Sequence, residues 1–95
     1  MAADVARAVQ VAEILKAVAH PLRLRIVAIL CEGEIKVNAL AERLGASQAI
    51  VSQQLRILRM HRLVVAVRQN GYASYRLLEP RLRDLVMCVE GCART

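Results

Sequence analysis

Short segments separated by turn-forming residues, one Asn-Gly turn and an excess of arginine predict a mainly α fold with a β-hairpin wing, built as one domain of 95 residues. Pro or Gly at 21, 33, 45, 71 and 80 punctuates the chain. Within most of the intervening segments apolar residues recur at three- and four-residue spacing, the signature of helices with one buried side. Only the stretch around Asn70-Gly71 reads as strand, turn and strand.

The first helix, α1, is expected over 3–19, a stretch without Gly or Pro that is rich in Ala, Val, Leu and Glu. Val5, Val9 and Ala12 form one apolar line along it, and Val11, Leu15 and Val18 form a second, so α1 has two surfaces to pack against. His20-Pro21 ends it. Pro21 suits the first position of α2 (21–32), because its φ is pre-set and it has no N–H to lose, and His20 is expected to cap that helix. α2 buries Leu22, Ile26 and Leu30 and stops before Gly33. Residues 34–36 have room for a minimal strand, β1. A short helix, α3 (37–44), carries Leu40 and Leu44 on one face and is stopped by Gly45. Ser47 then caps α4, about 48–61. Val51, Leu55 and Leu58 make its narrow apolar stripe, and the opposite side carries Gln48, Ser52, Gln53, Arg56 and Arg59.

Leu63 to Arg68 forms β2, and β3 runs to Leu77 beyond the Asn70-Gly71 turn, where both positions tolerate φ > 0. That turn sets Gln69 opposite Tyr72 and gathers Val64, Ala66, Tyr75 and Leu77 on the core side of the hairpin. Glu79-Pro80 opens α5, about 80–92, with Leu82, Leu85, Val86 and Val89 apolar; Met60 and Met87 read as ordinary packing residues. The order α1-α2-(β1)-α3-α4-β2-β3-α5 is that of a winged helix-turn-helix. The helix-turn-helix occupies about 37–61, the wing about 63–78, and α1 and α5 are the candidate dimer helices.

Composition narrows the function. The balance of 14 Lys+Arg against 8 Asp+Glu gives a net charge of +6, and 12 of the bases are arginine, suited to bidentate contact with phosphate and guanine. No apolar run approaches the roughly 18 residues of a membrane span. Asp4 interrupts any signal-peptide plan, so a cytoplasmic location with reduced cysteines is expected. A hydrophobic fraction of 57% is high for so short a chain and points to a second subunit covering apolar surface. No nucleophile–base pair, phosphate loop or carboxylate pair suggests an enzyme.

A polar-faced α4 after a short helix and turn fits a major groove, with Ser47, Gln48, Ser52, Gln53, Arg56 and Arg59 as its candidate contacts. Arg68, Gln69 and Asn70 at the hairpin tip would meet backbone or minor groove. A solvated helix face explains the polar side of α4 equally well in isolation; the wing and the arginine excess favour double-stranded DNA. Two tyrosines are too few for the stacking platforms of single-strand readers.

The stretch Leu15-Lys16-Ala17-Val18-Ala19-His20-Pro21-Leu22-Arg23-Leu24-Arg25-Ile26 resembles the second-helix signature of the ArsR/SmtB family of metal- and thiol-responsive repressors. Ser47 to Leu55 is similar to that family's recognition helix, with Gln54 where the family commonly has His, and Gly71 to Leu77 is similar to its wing strand. The resemblance implies a homodimer joined through the first and last helices and released from its operator by an inducer. It also implies where to look for the inducer site. The third-helix segment reads Glu34-Ile35-Lys36-Val37-Asn38 instead of the family's cysteine motif, α5 has no His, and α4 has no Cys.

Cys31, Cys88 and Cys92 remain as candidate metal- or redox-sensing residues. Cys88 and Cys92 lie four apart on one face of α5, a spacing at which two thiolates grip one soft ion. Three thiolates would suit arsenite or antimonite, and tetrahedral zinc would need a fourth ligand such as Glu90 or a His. Thiol oxidation or persulfide chemistry is the alternative, favoured if Arg81, Arg83 or Arg94 lowers a thiol pKa. Cys31 beside Leu30 reads equally as a core residue, and His61 as a complement to the α4 dipole. A regulator without a ligand, and a winged helix that binds protein, are the other readings.

Overall fold

The computed structural model describes residues 4–93. Its elements are α1 (Val5–Val18), α2 (Pro21–Leu30), β1 (Ile35–Lys36), α3 (Val37–Leu44), α4 (Gln48–Met60), β2 (Val64–Gln69), β3 (Tyr72–Leu77) and α5 (Arg81–Ala93). The order is the expected one. The residue-3 start expected for α1 lies outside the described residues; the helix is seen to open on Asp4, whose carboxylate accepts from the Arg7 N–H at 3.1 Å. α2 is shorter than expected: it ends at Leu30, with Cys31 as its C-terminal cap.

Each boundary around the α3–α4 unit has a local cause. His20 Nδ1 accepts from the Leu22 N–H at 3.2 Å, with Pro21 following it in the first turn of α2. α3 stops because Gly45 turns left-handed at φ 64° and ψ 32°. The reversal lets the Ala46 N–H reach the Ala41 carbonyl at 3.1 Å and the Gly45 N–H reach Glu42 at 3.2 Å, satisfying carbonyls that would otherwise be orphaned. Ser47 Oγ accepts from the Ile50 N–H at 3.2 Å and starts α4. At the far end of α4, Arg62 takes the left-handed conformation (φ 58°), and the Leu63 N–H closes on the Leu58 carbonyl at 3.0 Å.

The strands form one antiparallel sheet in the order β1-β3-β2. Asn70 (φ 49°) and Gly71 (φ 82°) make the expected turn, and the register runs from Gln69 opposite Tyr72 to Val64 opposite Leu77. One face of the hairpin joins the core, where Val64 and Tyr75 are buried and Ala66 and Leu77 pack against them. Ile26, Val27 and Leu30 of α2 and Leu40 and Leu44 of α3 complete that core with Val51, Leu55 and Leu58 of α4.

Candidate nucleic-acid interface

The buried stripe of α4 aims its polar side. Val51, Leu55 and Leu58 are fully buried, so the opposite face, with Gln48, Ser52, Gln53, Arg56 and Arg59, is turned to solvent. Gln54 lies off that face. It is half-buried, and its Oε1 is sealed from solvent with no hydrogen-bond partner among the described residues. The departure from the family's usual His therefore falls beside the core. Ser47 is exposed, but its oxygen already caps Ile50; its hydroxyl proton is what it has left to donate.

The helices behind α4 are fastened at their ends. Arg43 makes a two-pronged pair with Glu32 at 2.9 and 3.1 Å, tying α3 to the loop after α2 and holding the Glu32 carboxyl below the usual range. Arg25 donates to the Leu44 carbonyl at 3.4 Å at the end of α3. Arg68, Gln69 and Asn70 are exposed at the hairpin tip, as the sequence indicated. The Lys36 ammonium sits over the Tyr72 ring, 4.1 Å from its centroid, adding a base beside the hairpin. Between α4 and the sheet lies a concavity of about 350 Å³ lined by Ala49, Ser52, Gln53, Arg56, Arg59 and Tyr75. Strand alternation places Tyr75 in the core. Its ring is buried, yet it also walls this concavity, a double role that strand alternation alone does not reveal.

The opposite flank of the molecule is apolar. Val5 is 78% exposed, Val9 56% and Met87 66%, and Leu15 and Val89 are also exposed. An apolar groove of about 210 Å³ there is lined by residues of α1, α2 and α5, among them Leu15, Val18, Leu24 and Val89. Among the described residues no helix is long and apolar enough to cross a membrane.

The three cysteines do not gather. Cys88 and Cys92 are exposed on α5, whereas Cys31 is half-buried and none of the three is in a disulfide. The contact between Cys31 and α5 is made at Arg83, whose Nη2 donates to the Cys31 carbonyl at 2.9 Å. Arg83 precedes Cys88 by five residues, roughly 7.5 Å along a helix. Among the described residues no three His, Cys, Asp or Glu side chains form a group able to hold a metal ion. Of the arginines expected to lower a thiol pKa, Arg83 acts on Cys31. Burial pushes the Cys31 thiol up by more than neighbouring Arg83 lowers it. Arg81 is engaged with Glu79, at 2.7 and 3.0 Å, and Arg94 lies outside the described residues.

Residues 20–65 match the model of the bacterial regulatory protein family arsR. The biofilm growth-associated repressor of Xylella fastidiosa is 41% identical over 80 residues, covering 84% of this chain and 70% of the relative. The transcriptional regulator NmtR of Mycobacterium tuberculosis is 41% identical over 83 residues, 87% of this chain and 69% of its own. Among solved structures, the transcriptional repressor BigR from Xylella fastidiosa superposes with a TM-score of 0.85 at 38% identity, over 90% of this chain and 88% of that one. The homodimeric winged helix-turn-helix DNA-binding domain of Mb0332 from Mycobacterium bovis gives 0.84 at 32% identity, over 99% and 91%.

Proposed function

The chain belongs to the arsR family of bacterial regulatory proteins, a family of regulators and not of enzymes, and from that premise we propose that it is a dimeric repressor that binds operator DNA. The observation that carries the proposal is the pairing of a fully buried stripe on α4 with an exposed face of Ser, Gln and Arg beside a basic hairpin. On this reading α4 enters the major groove, where Gln48 or Gln53 pairs with adenine and Arg56 or Arg59 with guanine. The hairpin tip, with Arg68, Gln69 and Asn70, meets the sugar-phosphate backbone or minor groove. α1 and α5 join two chains. Their exposed apolar residues support this, as does the homodimer formed by the Mycobacterium bovis relative.

The test uses an operator selected from random-sequence duplexes and titrated by fluorescence anisotropy. Arg56→Ala is expected to cost about 1–3 kcal/mol and to relax sequence preference at one position of each half-site. Arg68→Ala is expected to weaken binding to all sequences alike and to lower the salt slope by about 1. If both variants bind as the parent does, the docking is wrong. Salt-insensitive binding to a protein, with no affinity for duplex DNA, would favour the protein-interaction reading instead.

Release by an inducer acting on Cys88 and Cys92 is the second part of the proposal. It is supported by their exposure and their four-residue spacing on α5, the helix assigned to the dimer. Cys31, half-buried and with its thiol pKa raised, serves packing on this reading. Arsenite, a persulfide donor or a mild oxidant is expected to weaken operator binding of the parent at least tenfold, on the order of 1.4 kcal/mol, and to leave Cys88→Ser unaffected. If all three cysteines can be replaced without changing any response, the protein is a regulator controlled by its abundance alone.

A further inference from the structure

We propose that the concavity between α4 and the sheet is a seat for one backbone phosphate of the operator, and that the Tyr75 hydroxyl is one of its donors. The inference rests on the DNA-binding reading above and adds a contact from a residue outside both the recognition helix and the wing tip.

Tyr75 lies at the middle of β3, the central strand, opposite Ala66 on one side and Ile35 on the other. It is 9% exposed, so its ring is fixed by the core around it. Among the described residues its hydroxyl has no hydrogen-bond partner. Nor is the hydroxyl one of the polar atoms sealed from solvent without a partner, which are Arg23 Nε and Gln54 Oε1. A buried tyrosine whose oxygen is neither bonded nor sealed must present that oxygen where its residue meets solvent, and Tyr75 meets it in this concavity. An open hydroxyl on a ring held by the core, committed to no group among the described residues, is a pre-positioned donor that can exchange water for a bound acceptor.

The surroundings select the acceptor. Ser52, Gln53, Arg56 and Arg59 line the same concavity, and among the described residues no carboxylate does. The Arg59 guanidinium, the Ser52 hydroxyl and the phenol are donors, a set that fits an anion, while Arg56 keeps the base contact assigned to it above. The position selects which anion. When a helix occupies the major groove and the neighbouring hairpin lies against the minor groove, the strand of backbone dividing the two grooves passes between them. The concavity lies on that path. A base edge is the poorer fit, because the ring of Tyr75 is held in the sheet and does not extend with the helix into the groove.

Tyr75→Phe removes the oxygen and keeps the ring. Binding of the selected operator, measured by anisotropy across salt concentrations, is expected to weaken about tenfold per half-site. The loss should be equal for variant operators, and the salt slope should stay that of the parent, because a phenol releases no counterion. Arg59→Ala, by contrast, should lower the slope by about 1. On duplexes carrying a neutral methylphosphonate at successive positions, the loss should vanish at one phosphate of each half-site. The melting temperature should not change, since the hydroxyl braces none of the described residues. Parent-like binding by Tyr75→Phe alongside weakened Arg56→Ala and Arg59→Ala overturns the seat and leaves the DNA reading intact. A loss confined to particular base sequences, or a lowered melting temperature, also overturns it. Parent-like binding by all three variants overturns the DNA reading itself.

Discussion

The two flanks of this molecule treat their apolar residues in opposite ways. On the α3–α4–hairpin side Val51, Leu55 and Leu58 are sealed and the opposite face of α4 turns Ser, Gln and Arg to water. Ile50, Met60 and Tyr72 are exposed around it, so Met60 is not the packing residue expected. On the α1–α5 side, Val5, Val9, Leu15, Met87 and Val89 face water themselves. The same short chain supplies both flanks, so the difference is one of design. A chain of 95 residues buries a limited core, and the apolar stripes of α3 and α4 lie fully within it. On the proposed reading a second copy covers the other flank and sets the distance between two α4 helices. On that reading the half that meets DNA is complete within one chain and the half that joins is not.

The contrast can be broken first on the sealed side. Leu55→Ala removes a fully buried side chain from the stripe of α4 and should cost about 2–5 kcal/mol in urea unfolding. A loss under about 0.5 kcal/mol, the size of an ordinary surface change, would mean that α4 is not seated as described. On the joining side, Val9→Asp alters a residue that is 56% exposed in the single chain. Fold content by circular dichroism should therefore persist, while the dimer seen by sedimentation weakens by roughly 1.5–3 kcal/mol per chain, the worth of one buried aliphatic side chain. An unchanged sedimentation profile would remove α1 from the interface.

A smaller effect concerns how α5 is attached. Glu79 accepts from the Arg81 N–H at 3.1 Å and pairs with its guanidinium, and its carboxyl pKa falls to about 2 from an ordinary 4.5. Because the folded pKa is depressed, the contribution is fully present above the unfolded value of 4.5 and is lost as pH falls toward about 2. Glu79→Gln should flatten that part of the acid stability curve and leave the curve near neutrality with the same shape. If the parent and the variant show the same acid slope, the clamp does not hold in solution.

What the sequence disclosed follows from how local each cause is. The end of α3 was legible because Gly45 is the residue that a left-handed stop favours. The end of α4 was met within a residue, at Met60 against an expected 61, although the left-handed turn after it is made by Arg62, which carries no such mark. Ser47, His20-Pro21 and Asn70-Gly71 each act over three or four residues and were readable for that reason. The polar face of α4 followed from helical spacing. Contacts across long stretches did not follow from anything local. Arg83 meeting the carbonyl of Cys31, 52 residues away, keeps α5 beside the end of α2 and leaves Cys31 apart from the cysteine pair. Tyr75 obeyed strand alternation and was read as core, but alternation is silent about where the tip of a long side chain emerges.

The central claim, that two copies of a complete reading half are set side by side by an incomplete joining half, has one direct test. Duplexes enriched from a random pool by this protein should be two-fold symmetric, with half-sites about one helical turn apart, roughly 10–10.5 base pairs. Sedimentation equilibrium should then find two chains on each duplex, and inserting about half a turn between the half-sites should abolish tight binding. One chain bound to an asymmetric site, with an affinity indifferent to that insertion, would contradict the account.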